Sequence, residues 1–120
     1  LALVDLALRR RFAFISLAPT FGKPWRDWVH TKAGIDYANL AKFEAKLSKL
    51  NDEIAADNRL GIQFEVGHSY VTPAFGNEIK DAANWFTQVV ETEIYPLLEE
   101  YWFDDPAKAQ SEKAALLKDL

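Results

Sequence analysis

Asp36-Tyr37-Ala38-Asn39-Leu40-Ala41-Lys42-Phe43-Glu44-Ala45-Lys46-Leu47-Ser48-Lys49-Leu50-Asn51-Asp52-Glu53-Ile54 decides how the rest of the chain is read. Tyr37, Leu40, Phe43, Leu47, Leu50 and Ile54 recur at alternating intervals of three and four, which puts them on one face of an α-helix. Asp36 suits the N-cap, because a short carboxylate accepts from the unpaired N–H groups of the first turn. Gly61 marks the end of the run. A coiled-coil seam has the same spacing, but this stripe lasts under three heptads and predicts packing within the molecule.

Upstream of that helix, Pro24 fits a first helical turn, and Trp25, Trp28 and Val29 follow the i, i+3, i+4 rule until Gly34. Downstream the period changes. Ile62, Phe64 and Val66 alternate with Gln63 and Glu65, then Gly67-His68-Ser69-Tyr70 and Thr72-Pro73 follow, so a short extended segment leading into a structured turn is expected. A third helix is expected from about Asn77, with Ile79, Ala83, Phe86 and Val90 on one face and Glu78 and Asp81 near its positive end. Pro96 must kink or restart it. Leu97, Leu98, Tyr101, Trp102 and Phe103 form a short apolar helix, and Asp105-Pro106 starts a last one that ends in Leu116, Leu117 and Leu120. The expected fold is mainly α, with four to five helices.

The first residues do not fit that helical set. From Arg10 to Leu17 the chain alternates, with Arg11, Ala13, Ile15 and Leu17 on one side and Phe12, Phe14 and Ser16 on the other. Both sides are largely apolar, as in a strand covered on both faces of a larger sheet. No second strand is available to pair with it, so an orphan strand belonging to an upstream α/β core is expected. The absence of methionine, even at position 1, points the same way: the sequence reads as part of a longer translation product.

Composition excludes several classes. Of 120 residues, 49% are hydrophobic and 27% charged, which is enough apolar material for a core and far from disorder. Without cysteine there are no disulfides, no thiolate nucleophile and no Cys-bearing zinc site; with His30 and His68 as the only histidines, no metal centre is expected. The longest stretches without Asp, Glu, Lys or Arg, residues 12–22 and 66–77, are too short to cross a bilayer. The apolar start at residues 1–4 lacks the basic flank of a signal peptide. The expected setting is cytoplasmic, with no membrane partner. The charge is uneven: residues 1–60 carry ten Lys/Arg against seven Asp/Glu, and residues 61–120 carry four against eleven. The five scattered glycines form no phosphate-cradling loop.

Three groups of residues offer chemistry. Arg9, Arg10 and Arg11 point to different sides of an extended backbone, so at least one is free to face a phosphate, either of nucleic acid or of a nucleotide held by a neighbouring subunit. His68 and Ser69 can each donate to a phosphate, although a lone histidine is more often structural. Glu91, Glu93, Glu99, Glu100, Asp104 and Asp105 run without an intervening basic residue; they read as a solvated face or as a docking surface for a basic neighbour.

Three stretches together carry a resemblance to a family: residues 3–15 with Leu8-Arg9-Arg10-Arg11-Phe12, Gly67-His68-Ser69-Tyr70, and residues 94–105 with Tyr95-Pro96-Leu97-Leu98-Glu99-Glu100-Tyr101-Trp102. In that order, over nearly the whole chain, they resemble the C-terminal part of McrB-like AAA+ GTPases of modification-dependent restriction systems. Residues 20–60 agree only in being helical. The resemblance implies that residues 1–22 are the arginine-finger segment and last core strand of the AAA+ large subdomain, and residues 23–120 the helical lid. It implies a finger at Arg10, with Arg11 beside it and Arg9 the weaker candidate, and a nucleotide contact at His68 and Ser69. It also implies a hexameric ring, a McrC-like endonuclease partner, DNA bound through a missing N-terminal domain, and GTP (or ATP) with Mg²⁺ in the full-length parent, none of it bound by this segment alone. Two other readings follow from the residues: a non-catalytic helical interaction module presenting Trp25, Trp28, Trp102 and Phe103, and a DNA-binding fragment using Arg9 to Arg11. The acidic second half argues against the latter.

Overall fold

A computed structural model describes residues 21–73 and 78–120. Helix α1 covers Lys23–Ala33 and α2 covers Tyr37–Ala56; two 3-10 turns follow at Ile62–Phe64 and His68–Val71. Helix α3, Ala82–Val89, runs through a π-helical turn at Val90–Ile94 into α4, Tyr95–Tyr101, and α5 covers Pro106–Leu117. Among the described residues there is no strand, so the mainly α expectation holds. The expected orphan strand of residues 10–17 lies outside the described residues.

The helix ends obey local chemistry. Gly34 stops α1 in a left-handed conformation (φ 76°), and its N–H reaches the carbonyl of His30. Asp36 caps α2 by accepting from the Asn39 N–H at 2.9 Å. Asp81 and Asp105 cap α3 and α5 in the same way, accepting from Asn84 and Lys108. Leu40, Phe43, Leu47, Leu50 and Ile54 are all buried along α2. Tyr37, the first residue of the expected stripe, is not. It stays 46% exposed, with its hydroxyl donating to Asp27 and its ring stacked on His30. His30 Nδ1 meets the carbonyl of Ile35 at 2.8 Å, and so staples the turn between α1 and α2.

Two boundaries differ from expectation, each for a long-range reason. Residues 62–66 are not extended: Phe64 and Glu65 donate back to the carbonyls of Gly61 and Ile62, which closes a tight turn and leaves Ile62 70% exposed. The backbone of Val66 is then occupied by a side chain, because buried Asn51 donates from Nδ2 to the Val66 carbonyl (2.9 Å) and accepts its N–H at Oδ1 (2.6 Å). That amide satisfies the groups a neighbouring strand would have paired. The third helix begins at Ala82 rather than near Asn77, since the Ile79 N–H donates to the carbonyl of Ala33 at 2.8 Å and holds the preceding residues across the end of α1.

Pro96 causes no break. It has no N–H for the carbonyl of Thr92, and the backbone widens into the π turn just where its ring would clash with that carbonyl. The core closes around two aromatic pairs: Phe43 of α2 stacks face to face on Phe86 of α3 with centroids 4.2 Å apart, and Phe64 meets Tyr101 edge-on at 5.3 Å. Trp102 Nε1 donates to Asp57 at 2.8 Å, tying the end of α4 to the end of α2. That bond, reinforced by the N–H of Arg59, holds the Asp57 carboxyl below its ordinary range. No described helix is long and apolar enough to cross a membrane.

Candidate functional site

Helix α1 begins where Gly22, at φ 123°, turns the chain, and this places Phe21 and Pro24 beside the Trp25 ring. The 3-10 turn His68–Val71 packs against the same end of α1. Between the two lies an open cleft of about 410 Å³ lined by Phe21, Pro24, Trp25, Trp28, His68 and Thr72. Trp25 is buried and fixed, its indole N–H donating to the Thr72 hydroxyl at 3.1 Å. Thr72 in turn donates to the carbonyl of His68 at 2.7 Å. Phe21 stands edge-on to both Trp25 (5.2 Å) and His68 (6.3 Å). Trp28, one helical turn along, is 40% exposed and lines the same opening.

The wall that carries His68 is held from behind by the Asn51 clamp on Val66, two residues earlier. No local pattern marks Asn51, one polar residue between Leu50 and Ile54. Burial pushes the His68 imidazole below its ordinary value of 6.5, so the ring is neutral at pH 7, with one ring nitrogen a donor and the other an acceptor. Because the unfolded chain then binds the proton more readily, the folded wall loses stability as pH falls through 6.5 and approaches the lowered pKa. A two-dimensional NMR titration of the ring protons should place the midpoint for His68 below 6.5. A midpoint above that value means an anionic partner, not burial, governs the ring.

Of the residues expected to act, His68 lines the cleft, whereas Ser69 is exposed and does not. Arg10 and Arg11 lie outside the described residues. The expected two-Trp face of α1 is split between the core and the cleft mouth. Among the described residues no three His, Asp or Glu side chains gather as a metal site. Phe21, Pro24 and Thr72 are added by the fold. The cleft's polar edge is the Trp25–Thr72 bond, formed by residues 47 positions apart, and no local pattern announces it.

This arrangement is a small all-helical domain with an open aromatic cleft at its first helix. A family model described as the McrB, alpha-helical lid domain matches residues 42–110, and the chain belongs to that family. A relative, the Type IV methyl-directed restriction enzyme EcoKMcrB subunit of Escherichia coli (strain K12), is 40% identical over 121 residues. The alignment covers 99% of this chain and 26% of the relative, so the chain spans about a quarter of that protein's length.

Proposed function

We propose that the chain serves as the arginine-finger segment (residues 1–22) and lid (residues 23–120) of a McrB-type AAA+ GTPase motor subunit in a restriction system. The observation that carries the reading is the position of the cleft. It opens at Phe21 to Trp28, where the helical domain joins the segment bearing Arg10 and Arg11, so a nucleotide held by a preceding α/β core would meet Trp28 and His68 first. The partly exposed Trp28 ring suits a planar base, and the neutral His68 ring can donate to ribose or phosphate oxygen. Ser69 is a second donor nearby on the exposed side of the same turn. The phosphates and Mg²⁺ belong to the preceding core, because these 120 residues contain no phosphate-binding loop. The segment alone is therefore inactive. In the assembled protein Arg10, with Arg11 beside it, reaches a neighbour's GTP across a ring interface, and hydrolysis drives work on a McrC-like endonuclease and DNA.

The test is Trp28→Ala in a full-length subunit carrying this segment. Stacking of a base on an aromatic ring contributes about 1–3 kcal/mol, so the Kd for GTP should rise about five- to 150-fold, with Trp28→Phe restoring most of it. A Kd unchanged in Trp28→Ala removes the cleft from nucleotide binding.

A further inference from the structure

The two walls of the cleft at the head of α1 come from distant parts of the chain, and one small side chain joins them. An indole N–H only donates and a carbonyl only accepts, whereas a hydroxyl does both at once. The Thr72 hydroxyl stands between two such groups, accepting from Trp25 Nε1 at 3.1 Å and donating to the His68 carbonyl at 2.7 Å. Valine, of nearly the same shape, could do neither.

Thr72 also closes the turn through its backbone. Its N–H donates to the Ser69 carbonyl at 3.3 Å, so side chain and main chain of one residue hold two successive carbonyls of the turn. The far end of the network is firm, since Trp25 is 5% exposed and packed in the core. Asn51 holds the chain at Val66, before the turn, and Thr72 holds it after, so His68 lies between two fixed points. Phe21 touches both the Trp25 and the His68 ring edge-on, but apolar contacts are non-directional and rings can slide; the two hydroxyl bonds set distance and direction.

We infer that Thr72 is a positioning residue of the cleft: its hydroxyl fixes the backbone of His68 to the Trp25 indole, so that the wall facing a bound nucleotide is preformed. A wall already in place binds without the cost of ordering it. Because the hydroxyl proton and one of its acceptor sites are spent inside the protein, Thr72 acts through His68 and Trp25 rather than by bonding the ligand. The inference rests on the nucleotide reading of the cleft given above.

In a full-length subunit carrying this segment, Thr72→Val should raise the Kd for GTP about two- to tenfold, the usual effect of losing such hydrogen bonds, while Thr72→Ser should stay within about twofold of the unaltered subunit. In a His68→Ala background the same Thr72→Val change should add less than about twofold, since no ring is left to place. Hydrogen exchange at the Trp25 indole of the chain, followed by NMR, should quicken about tenfold or more in Thr72→Val and not in Thr72→Ser, with circular dichroism confirming the helical fold. If Thr72→Val loses its fold, Trp25→Phe carries the test: it keeps a ring, removes the donor and should raise the Kd at least about twofold, and an unchanged Kd overturns the inference. An unchanged Kd in Thr72→Val while Trp28→Ala weakens binding overturns the inference and leaves the cleft reading standing. Unchanged values in both variants remove the cleft reading and the inference with it. A Thr72→Ser subunit as weak as Thr72→Val, or full additivity with His68→Ala, also overturns it, because Thr72 would then act by packing alone.

Discussion

Arg10→Ala in a full-length McrB-type subunit should lower GTP turnover by about three to five orders of magnitude, equivalent to about 4–7 kcal/mol of lost transition-state stabilisation. Charge builds on the γ-phosphoryl oxygens as the bond to the leaving group lengthens, and a planar guanidinium answers two of those oxygens at once. The ground state needs that contact far less. Equilibrium GTP binding should therefore stay within about threefold of the unaltered subunit. Arg10→Lys should rescue little, because a point charge on a flexible stem does not reproduce the fork. If the arginine acts on a neighbour's nucleotide, mixing Arg10→Ala subunits with subunits whose own phosphate loop is disabled should restore part of the turnover, since each supplies what the other lacks. Near-normal turnover of Arg10→Ala removes the finger assignment, and failure of the mixture places the arginine in its own subunit's site.

The second large effect is on stability. Phe43 and Phe86 are fully buried and stacked 4.2 Å apart with rings nearly parallel, and this pair joins α2 to α3 at the centre of the domain. Phe43→Ala should cost about 3–5 kcal/mol, the combined loss of transfer energy and the cavity left against Phe86. Phe43→Leu should cost less than half of that, because most of the volume is kept. Phe103 offers the contrast. It is 62% exposed, with Arg59 5.7 Å above its ring, and Phe103→Ala should stay within about 1 kcal/mol. Urea denaturation followed by far-UV circular dichroism measures all three. Equal losses for Phe43→Ala and Phe103→Ala would contradict the packing described here.

What could be read in advance followed from local rules. The caps at Asp36 and Asp105, the stop at Gly34 and the buried faces of α2 and α4 are set by neighbours within a turn or two, and the sequence spells these out. Reading failed where a distant partner intervened. The alternation of Ile62, Phe64 and Val66 resembles a strand, yet the Val66 backbone is saturated by an amide 15 positions earlier. Glu78 and Asp81 looked like the start of one helix, but Ile79 is bonded to the end of α1 and only Asp81 caps. Pro96 signalled a disturbance without saying that a widened turn would absorb it. His68 was picked out by its type and its place in the Gly67-His68-Ser69-Tyr70 run. Its place in one cleft with Phe21 and Trp28 is not legible in the sequence, because no periodicity links residues so far apart in the chain.

Asn51 has one further effect. Helix α2 carries Lys42, Lys46 and Lys49 on its outer side, and through the side chain of Asn51 it also grips Val66, which leads directly into the wall bearing His68. One buried amide thus fixes the register between the middle of α2 and the chain that enters the His68 turn.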